Sequence, residues 1–313
     1  MQQEWQCRTM SYFPALRGHA RRVGLLTFCL WMGCATADDS PALSEKITGG
    51  EFEYVIQPGD FLIKISARYG VDPVVLAREN GIDYNGYVYP GQRLRITNRH
   101  IVPERLSDGI LINLPQRMLF FFRDGELRAS YPVGLGRPTW RTPVGDFTVR
   151  TLELNKEWIV PKSIQEEMRR EGKIVNTSVP PGPDNPLGKY WIGLSRLGYG
   201  IHSTIAPVSI YQFQSHGCIR LHPDDIGAMF AAVSIGMPVR IIYQNTLLAR
   251  LPDGRIFLEV HPDAYNRRLD PLAGVRTHVQ AHGLDERIDE QQVRAMIAAR
   301  DGLAQEITRP ADK

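Results

Sequence analysis

The stretch Ser215-His216-Gly217-Cys218-Ile219-Arg220 decides how this sequence is interpreted. Cysteine is a strong nucleophile only as the thiolate, and a nearby imidazole can lower the pKa of the thiol. A second histidine, His202, lies a short distance upstream in Gly200-Ile201-His202-Ser203-Thr204. A cysteine flanked by small and basic residues, with two histidines close in sequence, indicates a catalytic centre.

The composition around this stretch is that of an ordinary globular protein. The chain has 313 residues, 43% of them apolar, and a formal net charge of +3. This length is enough for two modest domains. The weak charge, without a block of lysine or arginine, argues against a nucleic-acid partner. The 22 prolines and 28 glycines indicate many turns and favour short strands over long helices.

Residues 1–37 are typical of a signal peptide. Basic residues precede an apolar run from Val23 to Trp31, and Ala35-Thr36-Ala37 matches a small-x-small cleavage site. The run is short for a permanent membrane span. Cleavage after Ala37 predicts a periplasmic protein, and the alternatives are an uncleaved membrane anchor and lipid attachment at Cys34.

Cleavage at this site has a consequence for the cysteines. It would remove Cys7, Cys29 and Cys34 and leave Cys218 as the only thiol of the mature chain. Structural cysteines in an oxidising compartment normally occur in pairs. An unpaired Cys218 therefore favours a reactive role over that of a small buried hydrophobe.

Residues 38–50 form a polar linker, and residues 51–98 follow a strand–helix–helix–strand pattern. This segment resembles the LysM module, and the resemblance implies binding to glycan strands that contain N-acetylglucosamine. Phe61 departs from the threonine that usually follows Gly-Asp in the family, so the alternative is an interaction domain without glycan binding. The matching residues are Gly59-Asp60, Ile65, Leu76, Asn80 and Pro90-Gly91-Gln92-x-Leu94-x-Ile96.

Residues 105–243 consist of short apolar runs separated by glycine and proline. Strands are predicted over 110–114, 118–122, 127–131, 145–150, 190–194 and 239–242, with a helix over 224–233. This pattern predicts a mainly antiparallel β-sandwich, and with the small βααβ module an α+β fold. Residues 244–313 are predicted to form an accessory hairpin, over 247–260, and a tail that is helical over 289–305.

The residue types around Cys218 suggest a role for each neighbour. His202 is the candidate base that takes the thiol proton. His216 would share a face with Cys218 in an extended segment, where it could orient the site or bind an oxyanion with the backbone N–H groups of Gly217 and Cys218. Arg220, on the same face, could anchor a substrate carboxylate.

A zinc site is the alternative for the same region. His202, His216, Cys218 and His222 are competent ligand types. Their spacing lacks the paired Cys-x-x-Cys or His-x-x-x-His arrangement of common zinc sites. The sequence therefore predicts no metal and no other cofactor.

The cysteine region resembles the catalytic domain of L,D-transpeptidases of the YkuD type. Ser203 departs from the glycine that many relatives carry, and the family resemblance implies that its backbone carbonyl orients the cysteine or the histidine. We also expect Ser215 and Thr204 to contact the substrate. The matching segments are Ile201-His202-x-Thr204, Ser215 to Arg220, Gly134-x-Gly136-Arg137-Pro138, Thr142-Pro143-x-Gly145-x-Phe147 and Pro180 to Gly188.

The resemblance implies a two-step acyl transfer on peptidoglycan. Cys218 would attack the L-centre carbonyl of meso-diaminopimelate in a tetrapeptide stem and release D-alanine, with His202 accepting and donating the proton. The thioester would pass to a neighbouring stem, giving a 3→3 cross-link, or to a lysine of an outer-membrane lipoprotein. The alternatives are an L,D-carboxypeptidase, an amidase that releases lipoprotein, and a non-catalytic wall-binding protein. A sortase-like enzyme would need a Thr-Leu-x-Thr pattern, which is absent.

Overall fold

The computed structural model describes residues 43–310. The signal peptide predicted at residues 1–37, and with it Cys34, lies outside this range. Between residues 43 and 310 no helix is both long and apolar enough to cross a membrane.

The first described elements form the expected strand–helix–helix–strand unit. Strand β2 pairs antiparallel with β3, and the short strands β1 and β4 pair beside them. Helix α1 ends at Gly70, whose φ of 70° is left-handed, and the Asp72 side chain caps α2 by accepting the N–H of Val74. The elements are β1 (Ile47–Thr48), β2 (Glu51–Val55), α1 (Leu62–Tyr69), α2 (Pro73–Glu79), β3 (Arg93–Thr97) and β4 (His100–Ile101).

The second region contains most of the strands and two helices. All six predicted strands are present, and the helix predicted over 224–233 ends three residues earlier. Helix α3 was not predicted. The elements are β5 (Gly109–Asn113), β6 (Met118–Arg123), β7 (Glu126–Pro132), β8 (Leu135–Gly136), β9 (Gly145–Leu154), β10 (Trp158–Ile159), α3 (Lys162–Arg170), β11 (Ser178–Val179), β12 (Tyr190–Leu194), β13 (Gly200–His202), β14 (Phe213–Ser215), β15 (Ile219–Arg220), α4 (Pro223–Phe230) and β16 (Pro238–Ile242).

Eight of these strands form one mixed sheet in the order β15-β13-β12-β9-β16-β5-β6-β7. Five of its seven strand pairs are antiparallel, and the pairs β13–β15 and β16–β5 are parallel, which the sequence analysis did not predict. One apolar cluster takes side chains from both ends of the sheet, including Phe121 on β6 and Ile219 on β15. The sheet therefore curls around its core, and with the helices gives the α+β class.

The C-terminal region forms the predicted hairpin and a second apolar cluster. The tail departs from prediction, because its helix stops at Ala299 and residues 305–306 pair with the hairpin. Leu303 lies in the apolar core of the first unit, beside Leu76. The elements are β17 (Thr246–Arg250), β18 (Ile256–Val260), α5 (Pro271–Ala281), α6 (Glu290–Ala299) and β19 (Gln305–Glu306).

Helix α1 packs against the loop that follows β13 and against helix α4, which follows β15. Its Ala67 shares an apolar cluster with Ile210 and Tyr211, in the loop that follows β13. Its Arg68 forms two hydrogen bonds, of 2.9 and 3.0 Å, with the carboxylate of Asp225 on α4. The first unit is therefore joined to the elements on either side of the cysteine loop.

A buried polar cluster joins all three regions around the carboxylate of Glu259 on β18. The carboxylate accepts hydrogen bonds from His100 Nδ1 (2.8 Å), His261 Nε2 (2.7 Å), Gln116 Nε2 (3.1 Å) and the backbone N–H of Ile101 (2.6 Å). The other ring nitrogen of His100 faces the carbonyl oxygen of residue 70 at 2.9 Å. Both ring nitrogens of His100 therefore lie within hydrogen-bond distance of an oxygen inside this cluster.

Candidate active site

Two parallel strands bring the predicted catalytic residues onto one face. Ile201 on β13 lies opposite Ile219 on β15, and His202 lies opposite Arg220. Both isoleucines are fully buried in the core. Side chains alternate along a strand, so His202 and Arg220 point to the other face. Cys218 lies one residue before β15, and the charge of Arg220 acts on both its thiol and the imidazole of His202.

His202 is buried and held by its backbone surroundings. Its Nδ1 lies 2.5 Å from the carbonyl oxygen of Ser203, so this nitrogen carries the proton and Nε2 is the basic nitrogen. The indole of Trp191 stacks on the ring at 5.9 Å. Burial and the nearby positive charge of Arg220 lower the pKa of His202 to about 4. The imidazole is therefore neutral at pH 7.

Cys218 is the one cysteine of the described chain, and its thiol is unpaired. The sulfur lies 3.6 Å from the carbonyl oxygen of Gly198. Burial raises the pKa of the thiol, although the backbone of Gly200 and the charge of Arg220 act in the opposite direction. At pH 7 the thiol of Cys218 is therefore protonated and the imidazole of His202 is neutral.

Arg220 brings an uncompensated charge to this face. Its Nε is buried and has no hydrogen-bond partner among residues 43–310. Burial lowers the pKa of the guanidinium, but an arginine remains charged at pH 7. A partly buried cation without a partner favours an anionic ligand.

The cysteine loop is shaped by Ser215 and Gly217. The Ser215 hydroxyl donates to the carbonyl oxygen of Cys218 (2.6 Å) and accepts the N–H of Gly217 (3.1 Å). The N–H of Gly217, expected to bind an oxyanion, is therefore already hydrogen-bonded. Gly217 has a φ of 108°, and a side chain there would approach the Tyr199 ring to 2.8 Å. The segment is a turn between β14 and β15, so the extended geometry expected for His216 and Cys218 is wrong.

The side chains of Ser203 and Thr204 are buried and bonded within the protein. The Ser203 hydroxyl donates to the carbonyl oxygen of Leu187 (3.1 Å) and accepts the N–H of Tyr190 (3.2 Å). The Thr204 hydroxyl accepts the N–H of Ala206 at 3.0 Å. A serine in place of glycine at 203 is thus accommodated by hydrogen bonds to β12 and the segment before it.

His216 contacts residues that the sequence did not single out. Its Nε2 lies 2.5 Å from Oε2 of Glu167 on α3, and the same carboxylate forms an ion pair with Arg137. The Trp140 ring packs edge-on against His216 at 5.0 Å. Glu167 lies in a polar helix without a recognisable motif, so the sequence offered no signal for it.

Tyr265 is a second residue that the sequence did not single out. Its hydroxyl donates to the carbonyl oxygen of Gly136 (2.7 Å) and accepts the N–H of Thr142 (3.1 Å). Gly136 in turn donates its N–H to the Thr142 hydroxyl at 3.0 Å. The region after the hairpin therefore supports the loop that carries Arg137.

The ligands considered for zinc are not brought together. Among residues 43–310, one group of His, Cys, Asp or Glu side chains places its ligand atoms within 4.8 Å of one another, and it consists of His100, Glu259 and His261. His202, His216, Cys218 and His222 form no such group. In the Glu259 cluster the carboxylate is already bonded to four donors, which accounts for its burial without a metal.

A separate groove lies in the first unit. It encloses about 270 Å³ between the turn at 60–63 and the loop at 84–88. Phe61, Tyr84 and Tyr87 line it and are exposed, Tyr87 to 86%. Exposed aromatic rings around a shallow groove are suited to stacking against flat apolar surfaces.

The comparisons with known proteins agree with this architecture. The family model described as the L,D-transpeptidase catalytic domain (YkuD) matches residues 107–241, and the LysM domain model matches residues 54–97. The probable L,D-transpeptidase ErfK/SrfK of Escherichia coli (strain K12) is 33% identical over 229 residues, or 70% of this chain and 73% of that protein. The probable L,D-transpeptidase YcfS of the same strain is 32% identical over 228 residues, or 71% of each chain.

A solved L,D-transpeptidase structure from Mycobacterium smegmatis aligns with a TM-score of 0.35 at 23% identity, over 42% of this chain and 57% of that one. The match to the Escherichia coli relatives covers more than two thirds of their length. The chain belongs to the L,D-transpeptidase family and contains a LysM domain.

Proposed function

We propose that this chain is an exported cysteine L,D-transpeptidase that acts on the tetrapeptide stems of peptidoglycan in the periplasm. The observation that carries the proposal is the position of His202 opposite Arg220, with Cys218 at the start of the same strand pair, within the segment that matches the family's catalytic domain. The thiol supplies the nucleophile and the imidazole the base. The guanidinium supplies the charge that an anionic stem requires.

The pKa values of Cys218 and His202 determine how the reaction begins. Because the pKa of Cys218 is raised and that of His202 is about 4, the thiolate is scarce before substrate binds. The proton therefore moves from sulfur to His202 Nε2 as the sulfur attacks the L-centre carbonyl of diaminopimelate. The S–C bond forms, the C–N bond to D-alanine breaks, and His202 returns the proton to the departing amine.

The second step decides between transfer and hydrolysis. An amine of a neighbouring stem attacks the thioester, the new C–N bond replaces the C–S bond, and the thiol is regenerated. A lysine of an outer-membrane lipoprotein has the same nucleophilic group and is a second acceptor of the same chemistry. Water as acceptor would make the protein an L,D-carboxypeptidase, and reversal at a lipoprotein linkage would make it an amidase.

The remaining site residues act on the loop rather than on the stem. Ser215 and Thr204, expected to contact substrate, are buried with their hydroxyls bonded inside the protein, so we assign them to loop geometry. Ser203 orients His202 through its carbonyl oxygen. For the oxyanion we propose the backbone N–H of Cys218, because that of Gly217 is engaged.

We further propose a function for each region of the chain. Residues 51–98 form the LysM module, residues 105–243 the catalytic domain, with the curled sheet as its sandwich, and residues 244–313 an accessory region that supports both. Glycan strands would bind in the groove beside Tyr87, where sugar faces stack on exposed rings. The module would then hold the enzyme on its polymeric substrate.

Mass spectrometry of muropeptides tests the proposal directly. The purified mature chain and its Cys218→Ala variant are incubated with tetrapeptide-containing peptidoglycan. Cross-linked dimers or lipoprotein-linked muropeptides, formed by the wild type alone, are the expected products. Tripeptides without dimers would identify a carboxypeptidase, and released lipoprotein an amidase. Identical product patterns for wild type and variant would refute the catalytic proposal and leave a wall-binding protein.

A further inference from the structure

Arg137 and His216 converge on a single carboxylate at the loop that carries Cys218. Both are bonded to Glu167, and Arg137 Nη2 lies 3.2 Å from His216 Nε2. His216 belongs to this loop, and a side chain on Gly136, next to Arg137, would approach Cα of Gly217 to 2.9 Å. The carboxylate of Glu167 is therefore bound beside the cysteine loop.

The two donors are held in place independently of Glu167. The backbone N–H of Arg137 donates to the carbonyl oxygen of Ser215 at 3.0 Å. The guanidinium carbon lies 5.9 Å from the Trp140 ring, and the same ring packs against His216. Because backbone and aromatic contacts fix both side chains, the pair does not depend on the carboxylate for its geometry.

The guanidinium has spare capacity for an anion. Arg137 Nε is buried and has no partner within the described part of the chain. A carboxylate bound side-on to an arginine uses Nε and one terminal nitrogen together. Glu167 engages only the terminal nitrogen, so a carboxylate better placed than that of Glu167 would gain a hydrogen bond.

Glu167 is carried by an element with few buried contacts. Of the nine residues of α3, Ile164 is the one buried side chain. The helix lies between the short strands β10 and β11, which pair only with each other. Hydrogen bonds from His216 and Arg137 lower the pKa of Glu167, so it is ionised at pH 7. Its departure would break this ion pair and little apolar packing.

We propose that Arg137 and His216 form a carboxylate-binding site, which Glu167 occupies in the free protein and which a carboxylate of the donor stem takes over on binding. The inference rests on the proposed function, because it takes the tetrapeptide stem as the donor. The stem has three free carboxylates, one on its terminal D-alanine, one on the diaminopimelate side chain and one on the γ-linked D-glutamate. Each presents the same chemistry to Arg137, and Arg220 is available for another of them.

The test measures release of the leaving group by the full-length mature chain as a function of donor concentration. The donors are a soluble tetrapeptide and three analogues, each amidated at one of its three carboxylates, and the leaving group is D-alaninamide for the analogue amidated at D-alanine. Glu167→Gln removes the internal competitor's charge and should lower KM for the free-carboxylate donor on the order of ten-fold, with kcat little changed. Arg137→Gln should raise KM by a similar factor. Glu166→Gln, a neighbouring exposed glutamate on α3, is the matched control and should change neither constant.

Amidation identifies the carboxylate and can also overturn the proposal. The analogue amidated at the bound carboxylate should show the same KM with wild type, Glu167→Gln and Arg137→Gln, whereas the other two analogues should retain the differences. Changes in KM that are equal for all four donors would overturn the site. So would a fall in kcat of Glu167→Gln at unchanged KM, because Glu167 would then position His216 for catalysis.

A binding measurement separates this proposal from the proposed function. Calorimetry with the Cys218→Ala variant, with and without Glu167→Gln, reports stem binding without turnover. If wild type releases no D-alanine but Glu167→Gln still tightens binding of the free-carboxylate stem alone, the site stands and the transpeptidase assignment fails. If release is normal and binding does not distinguish acid from amide, the site fails and the assignment stands.

Discussion

Replacement of His100 with alanine should destabilise the folded protein by about 3 kcal/mol. The variant leaves the Glu259 carboxylate fully buried without its His100 partner. Burial alone would raise the pKa of Glu259, but His100 and His261 outweigh it and hold the pKa at about 2, against an ordinary 4.5. At about 1.4 kcal/mol per pKa unit, this shift corresponds to a net contribution of about 3 kcal/mol at pH 7, after the cost of burial is subtracted. Loss of one partner of a buried ion pair typically costs about 3–5 kcal/mol, which agrees.

The assay is unfolding by heat and by urea at pH 7. A loss of about 3 kcal/mol corresponds to a fall in Tm of roughly 6–12 °C for a domain of this size. Glu51→Gln, which breaks an exposed ion pair with Arg95, is the control and should cost less than about 1 kcal/mol. The double variant His100→Ala with Glu259→Ala should cost less than the sum of the single variants, because the two side chains interact directly.

The pH dependence gives a second measurement. A carboxyl whose folded pKa is depressed contributes stability above its unfolded pKa and loses it as the pH falls through the folded value. For Glu259 this window runs from about pH 4.5 down to about 2. The wild type should therefore lose more stability in this window than Glu259→Gln does. A His100→Ala variant that unfolds within 1 kcal/mol of wild type at pH 7 would refute the reasoning.

Three further predictions concern the site and the module. Arg220→Gln should slow iodoacetamide alkylation of Cys218 at pH 7 several-fold, because loss of the cation raises the pKa of the thiol further; a titration of alkylation rate against pH measures this. Arg68→Gln and Arg78→Gln each break a two-hydrogen-bond ion pair, with Asp225 and Asp301, and should lower stability by about 1 kcal/mol in urea titrations. Of the two, only Arg68→Gln should also slow D-alanine release, because its partner Asp225 lies on α4, which follows the strand (β15) next to Cys218. Tyr87→Ala should weaken retention on insoluble peptidoglycan and leave release from a glycan-free donor unchanged, as a pull-down and a release assay would show.

The sequence predicted those parts of the structure that depend on local pattern. Short apolar runs bounded by glycine and proline located β5, β6 and β12 to within a residue, and the family motifs singled out His202 and Cys218. What the local pattern could not supply is which strands run parallel, because the pairing of β13 with β15 depends on the path of the intervening loop.

The residues missed by sequence analysis are those whose partners lie far along the chain. His100 contacts Glu259, and Arg137 contacts both Glu167 and His216. Each of these side chains is an ordinary polar residue in its own segment, where exposure would be expected. Leu303 likewise lies in a segment with the apolar spacing of a helix, yet it packs in the core of the LysM unit. Tertiary contacts override local tendency in all of these cases.

The neutral thiol of Cys218 also bears on how an isolated cysteine survives in an oxidising environment. Peroxides and disulfides react with the thiolate and far more slowly with the protonated thiol. Because burial raises the pKa of Cys218, the resting sulfur is a poor target for sulfenic acid formation or for mixed disulfides with small thiols. In the proposed mechanism the sulfur becomes nucleophilic only when a bound carbonyl and His202 draw off its proton together. The same burial that slows thiolate formation would then protect the residue between turnovers.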